Sequence, residues 1–284
     1  MIARKRLALL GHPVAHSLSP VMHNAALDAA GIGLRYEALD IEPLDLATIL
    51  DELSSDSGAG NVTFPHKRAA MGMMDAVSSA AAATGSVNTF WADQAGHLAG
   101  DNTDVAGFTY LAVETFGAVP EGRRIAVLGA GGAAAAVLAA ASSWQRCTAT
   151  VHSRTAENAT ALCRRFSGFA RAKSMSHPAI GQADIVINAT PVGFGDDTQP
   201  IDLVRIGPHA AVIDLVYGKS ETAWVRAARE RGHRASDGLA MLVRQGSLSF
   251  KRWFGIEPDE EAMWGAVLKA TGRSRPGGTE ASQA

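Results

Sequence analysis

The sequence predicts an α/β fold in two parts, the second of them a doubly wound parallel sheet. Two observations carry this. Short apolar runs of β type alternate with helical segments along most of the chain, the pattern of parallel sheets covered by helices. Between residues 125 and 216 the alternation becomes especially regular, strand following helix at the spacing of a doubly wound unit. A length of 284 residues suits two compact domains.

Each element has a local reason. Leu7–Leu10 is a buried strand. Ser19-Pro20 reads as an N-cap followed by proline in the first turn, and that helix should run to about Ala30, before Gly31. Leu34–Ile41 reads as a strand, Asp45–Leu53 as a helix and Gly60–Phe64 as a strand. Pro65 then opens a helix, and Ser86–Trp91 is extended. A second block starts near Val105 with a helix to Phe116, followed by a turn at Pro120-Glu121-Gly122. Its strands are Ile125–Leu128, Ala149–His152, Asp184–Asn188 and Ala211–Val216; its helices are Gly131–Ser143, Thr155–Phe166 and Glu221–Arg231. A short extended piece at His233–Ala235 precedes helices at Leu239–Phe254 and Asp259–Thr271. The segment 272–284 is rich in Gly, Ser, Arg and Pro and is expected to be disordered. No flexible linker marks the boundary near residue 104.

Composition narrows the function. The chain is 47% hydrophobic and 19% charged, values of a globular protein with a sizeable core. A formal charge of −2 offers no field for nucleic acid or an anionic membrane, so an anionic ligand must be held by local groups. Cys147 and Cys163 have neither metal-ligand nor C-x-x-C spacing, and no metal site is expected. They read as reduced thiols. The apolar run Leu7–Leu10 is too short for a signal peptide, and no stretch approaches the ~20 residues of a membrane span, so a cytoplasmic protein is expected.

Strand Ile125–Leu128 leads into Gly129-Ala130-Gly131-Gly132-Ala133-Ala134, a G-x-G-x-x-A sequence that opens a helix. The first glycine permits a tight turn and the second a close backbone approach to a pyrophosphate. The small third residue lets helix and strand pack closely. This is a dinucleotide site of the Rossmann type, with free amides at a helix N-terminus facing the phosphates. At the end of the next strand an NAD site usually carries Asp or Glu. Ser153-Arg154-Thr155 stands there instead, and a guanidinium suits a 2′-phosphate. NADP is favoured over NAD, although Glu157 is close and a solvated strand-end cation is the alternative for Arg154.

The first part carries Gly11-His12-Pro13-Val14-Ala15-His16-Ser17-Leu18-Ser19-Pro20 with His23-Asn24, and then Asn61-Val62-Thr63-Phe64-Pro65-His66-Lys67. Gly85-Ser86-Val87-Asn88-Thr89 and Gly100-Asp101-Asn102-Thr103-Asp104 follow. With the glycine loop, Asn188-Ala189-Thr190-Pro191-Val192-Gly193, and the run Gly238 to Gln245, the chain closely resembles the shikimate dehydrogenase family. The resemblance spans residues 11–255, with the motifs in family order. It implies a substrate domain of residues 1–104, a cofactor domain of 105–237, and helices of 238–271 packing back on the first domain. It also implies that Ser17 and Ser19 bind the carboxylate of a small ring acid. Thr63, Asn88, Asp104 and Gln245 hold its hydroxyls, Tyr217 stands nearby, and Lys67 and Asp104 form the catalytic pair. Thr190 and Gly238 join the glycine loop on the cofactor. An ammonium beside a carboxylate suits ketone reduction, because negative charge that builds on the oxygen needs a proton.

Each residue also has a plainer role open to it. Ser19 could be an N-cap alone, Asp104 a cap for the helix after it, Asn88 and Gln245 core amides, and Tyr217 a strand-end aromatic. His16 and His23 read as structural or loop histidines. The chain departs from the family pattern in five places. Asn158 stands where a second basic residue is common, Val105 where glycine is frequent, Tyr217-Gly218-Lys219 where Tyr-Asn-Pro is usual, Phe194 for methionine and Gly246 for alanine. None removes a catalytic group. Reduction of 3-dehydroshikimate to shikimate by NADPH is the expected reaction, by a monomer or homodimer. An NAD-dependent quinate/shikimate dehydrogenase and a non-catalytic dinucleotide-binding regulator on the same scaffold stay open as alternatives.

Overall fold

The computed structural model describes residues 4–275. Two six-stranded sheets form the frame. The first is built from β1 (Leu7–Gly11), β2 (Tyr36–Asp40), β3 (Ala59–Val62), β4 (Ala76–Val77), β5 (Thr89–Ala92) and β6 (Leu98–Asp101), in the order β2-β1-β3-β5-β6-β4. Its helices are α1 (Ser19–Ala29), α2 (Leu46–Ser55), α3 (Lys67–Met71) and α4 (Ser79–Thr84). β1 pairs in parallel with β2 and β3, but β5 is antiparallel to both β3 and β6. The first sheet is therefore mixed, where the alternation of strands and helices suggests parallel pairing. Only five residues, 93–97, join β5 to β6, too few for a crossover, and Asp93 Oδ1 organises the turn by accepting from the amides of Ala95 (2.8 Å) and His97 (2.9 Å).

Helix α5 (Asp104–Phe116) leads straight into the second sheet. Its strands are β7 (Arg124–Leu128), β8 (Thr148–His152), β9 (Ala170–Lys173), β10 (Ile185–Asn188), β11 (Ala211–Asp214) and β12 (Ala235–Ser236), every pair parallel. The order β12-β11-β10-β7-β8-β9 is the doubly wound Rossmann arrangement, whose strand order reverses between β7 and β10. Helices α6 (Gly132–Ala141), α7 (Ala156–Arg165) and α8 (Ala223–Glu230) make the connections, and α9 (Leu239–Phe254) and α10 (Glu260–Thr271) complete the chain. α9 lies against β3, β5 and α5, while α10 packs along α1.

One continuous apolar core explains the missing linker. It runs from Leu7, Leu9 and Met22 through Trp253 and Phe108 to Ile125 and Val137 in the second sheet and its helix. Phe108 of α5 stacks on Trp144 beyond α6, with ring centroids 5.7 Å apart. Each such fully buried side chain is worth roughly 1.5–3 kcal/mol, so the two sheets share much of their stabilisation.

Several local expectations shift. Ser19 is the first residue of α1 rather than its cap; Leu18 takes that position without a side-chain bond. Pro65 lies in a turn, and the helix starts at Lys67. Asp104 is the first residue of α5, with Thr103 as N-cap and no side-chain cap bond. The described part of the segment expected to be disordered makes two contacts with the fold. The side chain of Arg273 is only 9% exposed and lies 2.7 Å from Asp237, and Arg275 sits 4.9 Å over the ring of Trp264. Residues 276–284 of that segment lie outside the described residues. Both cysteines are free and buried.

Candidate active site

A pocket of about 170 Å³ opens between the two sheets. Ser17 and Ser19 enter it from the loop after β1 and the start of α1, and Thr63 and Lys67 from the β3–α3 connection. Asn88 precedes β5, and Asp104 opens α5. Gln245 reaches in from α9 and Tyr217 from the loop after β11. Thus all eight predicted catalytic and substrate-binding side chains line one cavity.

Its centre is an ion pair. Lys67 Nζ lies 2.6 Å from Asp104 Oδ2, with the side chains 21% and 8% exposed. A carboxylate at the first turn of α5 is favoured by the helix dipole, whereas a lysine at the start of α3 is not; Asp104 supplies the lysine's electrostatic partner instead. The other oxygen, Oδ1, accepts from Asn88 Nδ2 at 2.9 Å. Asn88 is itself oriented, because its Oδ1 accepts the amide of Thr103 at 2.8 Å, which leaves Nδ2 to face Asp104, Thr103 Oγ1 (2.9 Å) and Gln245 Oε1 (3.2 Å). Asn88 and Gln245 thus bond to each other and, through Asn88, to the carboxylate of the pair. Ser17 Oγ accepts the amide of Ser19 at 3.2 Å, drawing both hydroxyls to one side of the pocket. Burial pushes the Tyr217 phenol up to about 12, helped by the nearby Asp104 carboxylate, so its hydroxyl stays protonated and able to donate.

Sequence reasoning missed Asn61 as a lining residue. Its Oδ1 accepts from the Tyr36 hydroxyl at 2.8 Å, and its Nδ2 donates to Ser249 Oγ and to the Asn88 carbonyl, both at 3.0 Å. A buried amide in an otherwise apolar strand was the available signal. Leu215, Met241 and Leu242 form the apolar wall, and nothing in their local sequence distinguishes them from core.

The dinucleotide residues run along the C-terminal edge of the second sheet, at the switch point. Gly129 has φ +104°, and a Cβ there would stand 2.7 Å from the Ala189 carbonyl oxygen. Its amide donates to the His152 carbonyl at 2.7 Å, which ties the glycine loop to the end of β8. Gly131 is the extended N-cap of α6, so Gly132 and Ala133 present free helix amides. Ala130 lies in the loop between Gly129 and Gly131, and Ala133 and Gly238 reach the pocket wall. Thr190 bonds back to Asn188 Oδ1 through its amide (3.0 Å) and hydroxyl (2.6 Å), so its methyl group lies against Gly129. Ser153, Arg154 and Thr155 stand at the end of β8, away from the pocket, with Ser153 Oγ accepting the Thr155 amide at 3.2 Å. Arg154 is exposed and forms no salt bridge among the described residues. Glycine loop, helix amides and an available guanidinium together fit a 2′-phosphorylated dinucleotide. Among the described residues no group of three His, Cys, Asp or Glu side chains is arranged to hold a metal.

A second cavity of about 630 Å³ adjoins the pocket, sharing Ser17 and Tyr217, and is walled by His16, Phe194, Gly218 and Lys219. Two of the five departures from the family pattern, Phe194 and Tyr217-Gly218-Lys219, thus gather in one place. Gly246 has a packing reason, since a Cβ there would come 2.2 Å from Cε of Met22. His23 is fully buried and stacked on Tyr36 (4.5 Å between centroids), a structural histidine as expected.

Fold and pocket together are those of a two-domain dehydrogenase that uses a nicotinamide dinucleotide. Residues 9–90 match the family model of the shikimate dehydrogenase substrate binding domain, and residues 238–268 that of the shikimate 5′-dehydrogenase C-terminal domain. The chain is 40% identical over 267 residues to shikimate dehydrogenase (NADP(+)) of Shouchella clausii, covering 91% of this chain and 96% of that one. Its structure resembles shikimate 5-dehydrogenase of Thermus thermophilus in complex with NADP(H) and shikimate, with TM-score 0.83 and 37% identity over 93% of this chain and 99% of that one. It also resembles quinate dehydrogenase of Corynebacterium glutamicum in complex with NAD, with TM-score 0.84 and 29% identity over 94% and 99%. The chain belongs to the shikimate dehydrogenase family.

Proposed function

We infer that the pocket is the active site of an NADP-dependent shikimate dehydrogenase, which reduces the ring ketone of 3-dehydroshikimate to shikimate and runs reversibly. The observation that carries this reading is the Lys67–Asp104 pair at 2.6 Å, set where the glycine loop meets the polar pocket: Lys67 Cδ lies 3.7 Å from where a Cβ on Gly132 would be. In our assignment residues 1–104 with helices 238–271 bind the substrate, and residues 105–237 bind the dinucleotide. Ser17 and Ser19 take the carboxylate; Thr63, Asn88, Gln245 and Tyr217 take the ring hydroxyls. Gly129, Ala130, Gly131, Gly132 and Ala133 hold the pyrophosphate, Ser153, Arg154 and Thr155 the 2′-phosphate, and Thr190 and Gly238 the nicotinamide end.

The cofactor, when bound, supplies the hydride. The protein's part is to position the ketone and to supply the proton. As negative charge builds on the ketone oxygen, the Lys67 ammonium stabilises it and donates a proton, while Asp104 holds the ammonium in place and accepts a substrate hydroxyl. Positioned proton transfer of this kind typically contributes about 10²–10⁴-fold. The setting we propose is the cytoplasm, in the biosynthesis of chorismate and aromatic amino acids, with the enzyme acting as a monomer or homodimer.

The likeness to the quinate dehydrogenase keeps NAD-dependent quinate oxidation as a second reading. Arg154, exposed and without an acidic partner among the described residues, favours NADP. Absorbance at the nicotinamide band, with shikimate or quinate and NADP or NAD, tests the choice. Rapid reduction of NADP with shikimate is expected; turnover mainly with quinate and NAD would overturn the assignment, and no turnover with any combination would support a non-catalytic binder.

A further inference from the structure

The segment after α10 ends in a buried charge contact that the reaction as described does not use. Arg273 reaches back to Asp237, the residue immediately before Gly238 and α9, and the two side chains are 9% and 1% exposed. Asp237 Oδ1 accepts the amide of Leu239 at 3.2 Å, so it ties down the first turn of α9. Gly238 is locked beside it, since a Cβ there would stand 2.3 Å from the Leu215 carbonyl oxygen. Gly238, Met241, Leu242 and Gln245 then line the pocket from that same end of α9. An unpaired carboxylate so deeply buried would be strongly destabilising, and the guanidinium of Arg273 neutralises it.

We propose that Arg273 is a positioning residue of this enzyme: by pairing with Asp237 it braces the start of α9 from the end of α10 and so holds Gln245 and its neighbours at the pocket. The proposal rests on the shikimate dehydrogenase reading for what fills the pocket, and on geometry alone for the brace. α10 packs along α1, which begins at Ser19, so the brace links the Ser19 side of the pocket to its Gln245 side. The charged groups that face Asp237 are Arg273, Glu221 before α8, and Asp214 at the end of β11. Glu221 is itself occupied by Arg229 at 2.5 Å, and Asp214 is a second acid, so Arg273 is the cation among them that can neutralise Asp237. Burial already pushes the Asp237 carboxyl up against the pull of Arg273. Without the arginine the carboxyl would be neutral at low pH and an unpaired buried charge at high pH.

The test compares Arg273→Met, Arg273→Lys and the double variant Arg273→Met/Asp237→Asn. Steady-state kinetics are run from about pH 6 to about pH 9, with shikimate affinity measured separately by calorimetry. For Arg273→Met we expect the KM and Kd for shikimate to rise roughly tenfold at the alkaline end and only a few-fold at the acid end, with kcat changed less than about threefold. Binding of 2′,5′-ADP, a probe of the far end of the dinucleotide site, should change less than about twofold. Arg273→Lys and the double variant should each recover most of the affinity, the first by restoring the cation and the second by removing the stranded charge. Unchanged KM with only a lower melting temperature would overturn the proposal, as would a double variant no better than Arg273→Met. A wild-type chain that binds shikimate but does not oxidise it would condemn the proposed reaction and leave the brace to be judged by the calorimetric affinities.

Discussion

Lys67→Ala removes the ammonium that lies 2.6 Å from Asp104, which in the proposed mechanism is the proton source for the developing alkoxide. We expect kcat to fall by at least about 10²-fold with cofactor affinity largely kept; retained turnover would remove Lys67 from the mechanism. Arg154→Ala should raise the KM for NADPH far more than that for NADH, because in the proposed assignment the guanidinium addresses only the 2′-phosphate; equal changes would refute that contact. His23 carries a different prediction. Burial holds its pKa down to about 3, so it is neutral in the fold, whereas the unfolded chain titrates near the usual 6.5. Its contribution to stability is therefore complete above about pH 6.5 and is lost as pH falls toward 3. By about pH 5 the loss amounts to about 2 kcal/mol. His23→Phe keeps an aromatic ring between Tyr36 and Trp253 but takes up no proton. Its urea midpoint should drop less than the wild type's between about pH 7.5 and about pH 5, and equal drops would acquit His23. Residue types were legible at this scale, since Lys67, Asp104 and the serines stood in recognisable motifs. That Asn88 points its Nδ2 at Asp104 was not, because Thr103 sets the orientation across the fold.

Elements were legible where their signals are local. α9 spans Leu239–Phe254, as its periodicity predicts, and α10 begins after Asp259, whose side chain accepts the Ala262 amide at 3.0 Å. Asp259→Ala should cost about 1 kcal/mol through the lost cap and shift the urea midpoint without altering KM for shikimate; an unchanged midpoint would show that packing on α1 and α9 holds α10 in place without the cap. Strands β4, β6 and β9 and helix α4 were not recognised. β4 is two residues long, β9 alternates alanine with Arg171 and Lys173, and α4 has six residues, too few to show a helical period. Their strandedness or helicity comes from neighbours, as in the register Ala149↔Ala170 that recruits β9 to the edge of the second sheet.

At the scale of the molecule, the two domains touch outside the pocket as well. Arg165, at the end of α7, donates through Nη2 to the carbonyls of Ala82 (2.7 Å) and Ala83 (3.3 Å) at the end of α4. The contact is exposed and screened, so it is worth about 1 kcal/mol at most. Arg165→Ala should nonetheless lower the fraction of molecules with the domains closed over the pocket and raise the KM for shikimate and NADPH together, by a few-fold. Kinetics combined with small-angle scattering would check this; unchanged KM and radius of gyration would leave Arg165 a surface cap only. The described residues contain no helix long and apolar enough to cross a membrane.

The sequence by itself determined the family and the residue types that the proposed chemistry uses. The glycine loop and the Ser153-Arg154-Thr155 strand end carry their meaning locally in their residue types, while the motifs holding Ser17, Lys67, Asn88 and Asp104 carry it through resemblance to the family. It also determined the doubly wound half, because apolar runs and helical periods are local and repeat. Tertiary structure alone decided three things. It turned β5 against β3 to make the first sheet mixed, set Asn61 in the pocket wall between Tyr36 and Ser249, and drew Arg273 onto Asp237. Each is a contact between residues far apart in the chain, and such contacts depend on which surfaces bury each other, a property that no stretch of sequence displays alone.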